Sequence, residues 1–263
     1  MLVVTQPDVQ SVSLCAADMI AGLIRRNPQA VIGLAAGATP LGLYDELVRR
    51  HHDEGLDFSQ LTVFGLDEYL GIAPDHPASC GHAIRSRLIE RVNLAPSQVH
   101  LMDGRPSGDL SGYCTRYEEK ITKAGGLDLQ ILGLGINGHV GFNEPGSSLG
   151  GRTGPVILST STRTTNRPAF PPHEDVPKAA ITMGIATILA ARCVLLLATG
   201  TAKAEAVAKM VEGPLTAMVP ASALQLHPDA VILLDAAAAG RLLRQEEYDF
   251  EVAARQDLGA FLA

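Results

Sequence analysis

The sequence predicts an α/β fold: one open, mostly parallel, Rossmann-like sheet with helices on both faces. Three observations predict it. Short runs rich in Ala, Val, Ile and Leu, at residues 30–35, 61–66, 127–134, 193–198 and 230–235, alternate with stretches of helical spacing. Most of these runs are apolar at nearly every position, as strands buried on both faces require. Aromatic residues make up 4% of the chain and tryptophan is absent, so the core has to be aliphatic.

In order, residues 1–5 read as an edge strand. Residues 8–26 carry Val12, Leu14, Cys15, Met19, Ile20, Leu23 and Ile24 on a helical repeat, stopped by Asn27-Pro28. The strand at 30–35 runs into Gly37-Ala38-Thr39-Pro40, which opens a helix to about residue 51, with Thr39 as N-cap and Pro40 preset for the first helical position. The strand at 61–66 ends at Asp67-Glu68-Tyr69. A loop at 74–77, a helix at 80–92, a short strand at 99–102 and a helix at 110–124, closed by Gly125-Gly126, come next. The strand at 127–134 feeds a glycine-rich turn.

Residues 150–155 read as irregular and 156–159 as a short strand. Residues 159–177, rich in Ser, Thr, Arg and Pro, bury too little to be core and are read as a mobile connection or lid. Partly helical 181–190, a buried strand at 193–198, a helix at 201–211, a short helix at 221–226 and a last strand at 230–235 precede closing helical segments. No repeat, low-complexity block or linker divides the chain, so one domain is expected over 1–263.

The formal charge of −7 and the lack of any Lys/Arg run weigh against a nucleic-acid partner. No stretch approaches the apolar length of a membrane span, and no basic leader with a long apolar run opens the chain. Cys15, Cys80, Cys114 and Cys193 are widely spaced, with no C-x-x-C. A disulfide framework is not expected, and a cytoplasmic protein with no membrane partner is.

Four constellations sit at strand ends. Gly37-Ala38-Thr39-Pro40 has the layout of an anion-binding helix start, though it matches neither Walker A nor G-x-G-x-x-G. Asp67, after a buried strand, is placed as a partly desolvated general base, or else as a helix start or acidic turn. In the run from Leu132 to Ser148, His139 and Glu144 lie five residues apart around a turn, a spacing that suits an acid/base pair. Zinc on these residues is discounted, because no second histidine or cysteine stands at ligand spacing. Thr199-Gly200-Thr201-Ala202-Lys203 repeats the strand–glycine–helix layout with a lysine where the helix dipole disfavours one unless an anion sits between. Two such helix starts suggest one phosphate held from two sides. The remaining histidines, among them His76 and His227, have no partner pattern.

Together these segments, with Gly135-Ile136-Asn137-Gly138-His139-Val140-Gly141-Phe142-Asn143-Glu144-Pro145 and Leu224-Gln225-Leu226-His227-Pro228, resemble the glucosamine-6-phosphate deaminase family over nearly the whole chain. Phosphogluconolactonases share the fold and parts of the loops. The resemblance implies a cofactor-free and metal-free aldose–ketose isomerisation with loss of ammonia, taking glucosamine 6-phosphate to fructose 6-phosphate. By the same resemblance His139 opens the sugar ring, oriented by Glu144 and Asn137, and Asp67 moves the C2 proton to C1. Gly37, Ala38, Thr39 and Lys203 hold the phosphate, and Arg167 matches a substrate-contacting arginine if one residue is deleted before it.

Two departures stand out. Many members of the family carry aspartate where this chain has Asn137. An activator site for N-acetylglucosamine 6-phosphate in hexameric members uses an arginine and a lysine whose counterparts here are Gly154 and Val156. No such site, and a monomer or small homo-oligomer, are therefore expected. A galactosamine-6-phosphate deaminase, a 6-phosphogluconolactonase and a non-catalytic sugar-phosphate sensor remain alternatives on this fold.

Overall fold

A computed structural model describes residues 1–257, with Ala38 described by its backbone alone. The chain runs β1 (Leu2–Gln6), α1 (Val9–Arg26), β2 (Val31–Leu34), α2 (Ala38–Glu54), β3 (Thr62–Gly65), β4 (Asp67–Tyr69), α3 (Cys80–Arg87), β5 (Val99–His100), α4 (Leu110–Lys123) and β6 (Leu129–Gly133). It continues β7 (Gly154–Ile157), α5 (Thr160–Asn166), β8 (Ala179–Thr182), α6 (Ile185–Leu189), β9 (Cys193–Ala198), α7 (Ala204–Val211), β10 (Ala230–Asp235), α8 (Ala236–Ala239) and α9 (Gln245–Asp257).

Seven strands form one sheet in the order β1-β10-β9-β6-β2-β3-β5, and every pairing in it is parallel. Alternate side chains on each strand enter opposite layers. Ile32, Leu34, Leu129 and Ile131 pack with α1, α2 and α3; Val31, Leu132, Val194 and Leu196 pack with α4, α6 and α7. Both faces are covered, which is why the central strands are apolar at most positions. The strand order reverses between β2 and β6, so a crevice opens outside their C-terminal ends, where ligands bind in such sheets. Among the described residues no helix is long and apolar enough to cross a membrane.

A second sheet, β4-β8-β7, is antiparallel and was not anticipated. The chain leaves the main sheet at Leu66, whose amide still donates to the Leu34 carbonyl at 2.8 Å, and Asp67 at once begins the second sheet. Residues 179–182, the last two of which were expected to open a partly helical stretch at 181–190, are the central strand of that sheet. The 159–177 stretch is more ordered than a plain connection: Ser159 caps α5 by accepting from the Thr162 amide, and a 3-10 turn follows at Arg167–Ala169.

The helix after β2 starts at Ala38, with Gly37 as N-cap in place of Thr39. Gly37 has φ +119°, a conformation that suits glycine, and the turn into the helix is made there.

Candidate active site

Four strand ends deliver side chains to one cavity of about 570 Å³. The turn after β2 brings Gly37 and Thr39, the end of β3 brings Asp67, the loop after β6 brings Asn137 and His139, and the turn after β9 brings Lys203. Thr165, Asn166 and Ala169 from the 159–177 stretch close another side.

Asp67 is 8% exposed. Burial pushes its carboxyl up to about 7, the charge of Glu68 adds to that, and the Cys80 thiol works weakly against it. The β6 loop passes close by. A Cβ on Gly141 would sit 2.7 Å from Thr182 Oγ1 and 3.3 Å from Asp67 Oδ2, so glycine lets that loop cross beside the carboxylate. The Thr182 hydroxyl accepts from the Phe142 amide at 3.2 Å and ties the loop to β8.

The His139 ring lies over Gly135, where a Cβ would meet ring atoms at 2.3 Å or a little more. Burial holds the imidazole below its ordinary pKa, with the Glu144 charge pulling upward and Lys203 adding to the fall. Glu144 is 7% exposed. Burial alone lifts its carboxyl, but donors from Thr162, Asn137 and Ser159, with His139 nearby, bring it below the usual carboxylate range. Asn137 Nδ2 donates to Glu144 Oε2 at 2.9 Å, and Asn137 Oδ1 accepts from the His139 amide at 3.2 Å. Ser159 donates to Glu144 Oε1 through its amide at 3.2 Å and its hydroxyl at 3.1 Å. Asn137 therefore fixes the loop and the carboxylate, and does not touch the imidazole nitrogens.

Lys203 ends a 3-10 turn, Thr201–Lys203, and burial lowers its pKa. The turn is pinned by Asp235, whose two oxygens each accept from the Gly200 amide at 3.0 Å. That amide is thus spent, and Lys203 is the charged group that this turn presents to the cavity.

Arg167 is not brought to the cavity. Its guanidinium donates to the carbonyls of Phe170 (3.1 Å), Pro171 (2.9 Å) and Pro172 (2.7 Å), closing the turn that follows α5. Three histidines read as unpartnered have hydrogen-bond partners. His51 Nδ1 meets the Leu56 carbonyl at 2.7 Å. His76 Nε2 meets Glu174 Oε2 at 2.7 Å, joining the loop before α3 to the 159–177 stretch, and His227 Nε2 meets the Ala191 carbonyl at 2.8 Å in the core. Ser159, Thr182 and Cys80 are site-shaping residues that carried no signal in the sequence, because each acts across a long separation.

The comparisons with known proteins agree with one another. A family model described as glucosamine-6-phosphate isomerases/6-phosphogluconolactonase matches residues 8–233. A glucosamine-6-phosphate deaminase of Arthrobacter sp. (strain FB24) is 49% identical over 248 residues, 94% of this chain and 95% of the relative. One of Hahella chejuensis (strain KCTC 2396) is 46% identical over 242 residues, 92% of each chain. A solved structure described as a monomeric glucosamine-6-phosphate deaminase superposes with a TM-score of 0.89 at 43% identity, covering 92% of this chain and 100% of that one. A 6-phosphogluconolactonase from Trypanosoma brucei, 24% identical with a TM-score of 0.68 over 92% of this chain and 98% of that one, shares the fold.

Proposed function

The chain belongs to the family of glucosamine-6-phosphate isomerases and 6-phosphogluconolactonases, and from that membership we propose that it is an enzyme of amino-sugar metabolism, a glucosamine-6-phosphate deaminase. The observation that carries the reading is the meeting of Asp67 and His139 in one cavity with Lys203. Removing a proton from carbon needs a base held dry and close, and opening a sugar ring needs a separate acid/base at the ring oxygen. A lactonase needs no carbon base.

His139 delivers a proton to the ring oxygen as the C1 hydroxyl gives one up, and the open-chain aldehyde results. Asp67, kept basic by its dry setting, takes the C2 proton; the C1–C2 enolamine forms, and the same carboxyl returns the proton to C1. The resulting C2 iminium adds water and releases ammonia, leaving fructose 6-phosphate. Glucosamine 6-phosphate plus water thus balances fructose 6-phosphate plus ammonia, and each step is a proton transfer, an addition or an elimination: ring opening breaks C1–O5 and ammonia loss breaks C2–N. Lys203 and the Gly37–Thr39 turn hold the phosphate, and the 159–177 stretch acts as the lid that excludes bulk water.

A monomer or small assembly with no N-acetylglucosamine-6-phosphate activator site is part of this proposal, because Gly154 and Val156 on β7 offer no cation to a phosphate. The cytoplasm is the proposed setting, in keeping with the free thiols of Cys15, Cys80, Cys114 and Cys193.

A coupled assay for ammonia on glucosamine 6-phosphate, galactosamine 6-phosphate and 6-phosphogluconolactone tests the reading. Ammonia from the first at the highest kcat/KM is the expected result. Lactone hydrolysis without ammonia release would overturn it.

A further inference from the structure

Glu68 is a buried carboxylate, 2% exposed, that the proposed steps do not touch. Its Oε1 accepts from the amides of Tyr69 (2.8 Å) and Cys80 (3.1 Å), and its Oε2 from the Ser79 hydroxyl (2.6 Å) and the Gly81 amide (2.9 Å). Three of these four donors are backbone N–H groups that no rotation can turn into acceptors. A protonated carboxyl would find only the Ser79 hydroxyl able to accept its O–H, and would weaken the bonds from three amides, so the cradle fits the anion. Two of the amides belong to the first turn of α3, where the helix dipole also favours negative charge. Gly81 leaves room for it: a Cβ there would lie 3.3 Å from Glu68 Oε2.

Successive residues on a strand turn to opposite sides. Asp67 on β4 therefore faces the cavity while Glu68 faces α3, and the pairing of β4 with β8 fixes both. The other ionisable groups packed around Asp67 are Tyr44 from α2, Tyr69 from β4, Cys80 from α3 and Tyr117 from α4. Burial raises all four, so they are neutral near pH 7. On the cavity side stands His139, which burial also keeps neutral there, and Lys203 lines the same cavity. Among the described residues, Glu68 is the charged group that bears on Asp67.

We propose that Glu68 is a positioning residue for the proton transfer at Asp67: a fixed negative charge behind the base that keeps it basic enough for a carbon acid, while its cradle anchors the end of α3 that walls the cavity. The inference rests on the reading of Asp67 as the base.

Two measurements test it. The pH profile of kcat is compared for the unsubstituted protein, Glu68→Asp and Glu68→Gln. Removing the charge is expected to move the acid limb down by about one pH unit and lower the plateau about tenfold, with KM changed less than about threefold. Glu68→Asp keeps the charge and is expected to keep the limb. A Glu68→Gln protein that loses rate evenly at every pH, with the limb in place, would sink the proposal as a mere loss of structure.

Carboxyl carbon NMR on the whole unsubstituted protein needs neither a folded Glu68→Gln variant nor activity. The Asp67 signal, identified by its loss in Asp67→Asn, should titrate near neutrality. An Asp67 signal that titrates in the ordinary carboxylate range would overturn the inference. If no ammonia is released from any substrate, the deaminase reading fails while the titration still reports on Asp67.

Discussion

The Nδ1 atom of His139 lies 3.9 Å from Oε2 of Glu144, just beyond a hydrogen bond, and is buried with no partner among the described residues. The carboxylate that should serve it is engaged elsewhere, by Asn137 on one oxygen and Ser159 on the other. The pair is therefore poised rather than joined, and small changes around it should read out on the imidazole.

Asn137→Asp replaces the amide that donates to Glu144 with a second negative charge beside the loop of His139. An added anion favours the imidazolium, so the pKa of His139 should rise. Histidine ring NMR across pH 5 to 9, about the working range of an imidazole, checks this. An unmoved His139 would show that Asn137 has no electrostatic part in the pair.

Asp67→Asn should abolish ammonia release and, at pH values above the ordinary carboxylate range, stabilise the fold. The Asp67 carboxyl is raised from 3.8 to about 7, so the folded state holds a proton that the unfolded state has lost between those values. Stability then falls as pH rises through that window, by up to roughly 1.4 kcal/mol per unit. The gain in Tm on substitution should be absent below the window, grow across it and level off above it. A gain of equal size at all pH values would rule out this account.

Lys203→Ala should raise KM about 10- to 100-fold, the worth of a charge-assisted hydrogen bond to phosphate, with kcat within about threefold. Competitive inhibition by inorganic phosphate should weaken in parallel. A KM within about twofold of the parent would remove Lys203 from the phosphate site.

Gly141→Ala adds a Cβ that meets Thr182 and Asp67 at a residue with φ +56°. The strain should cost about 1–2 kcal/mol, seen as a lower midpoint in urea, and displacement of Asp67 should depress kcat more than KM. Full activity would show that the loop can shift without moving the base.

The main sheet was legible because its strands are continuous apolar runs. Those at 193–198 and 230–235 agree with β9 and β10 at both ends. The second sheet was not, since β4 and β8 hold three and four residues and exist by pairing with each other, with no periodicity to betray them. Asp67, His139 and Lys203 could be placed because each follows the end of an apolar strand. Glu68 looked like one more acidic neighbour, because three of its four donors lie 11 to 13 residues away and form a cradle in three dimensions alone. Arg167 is steered by three carbonyls of its own turn, a choice of rotamer that local composition does not reveal.

The stretch bordering the cavity grows out of an antiparallel hairpin. Ile157 on β7 is the register partner of Ala179 on β8, and the Leu158 amide donates to the Lys178 carbonyl at 2.9 Å. Its two roots are therefore already within the span of a tight turn, whatever length of chain lies between them. Topologically the stretch is an expanded hairpin loop. It can be lengthened, exchanged or cut back to a two-residue turn without altering the order of any strand in either sheet, which makes it the natural place for substrate range to diverge among chains that keep the same catalytic floor.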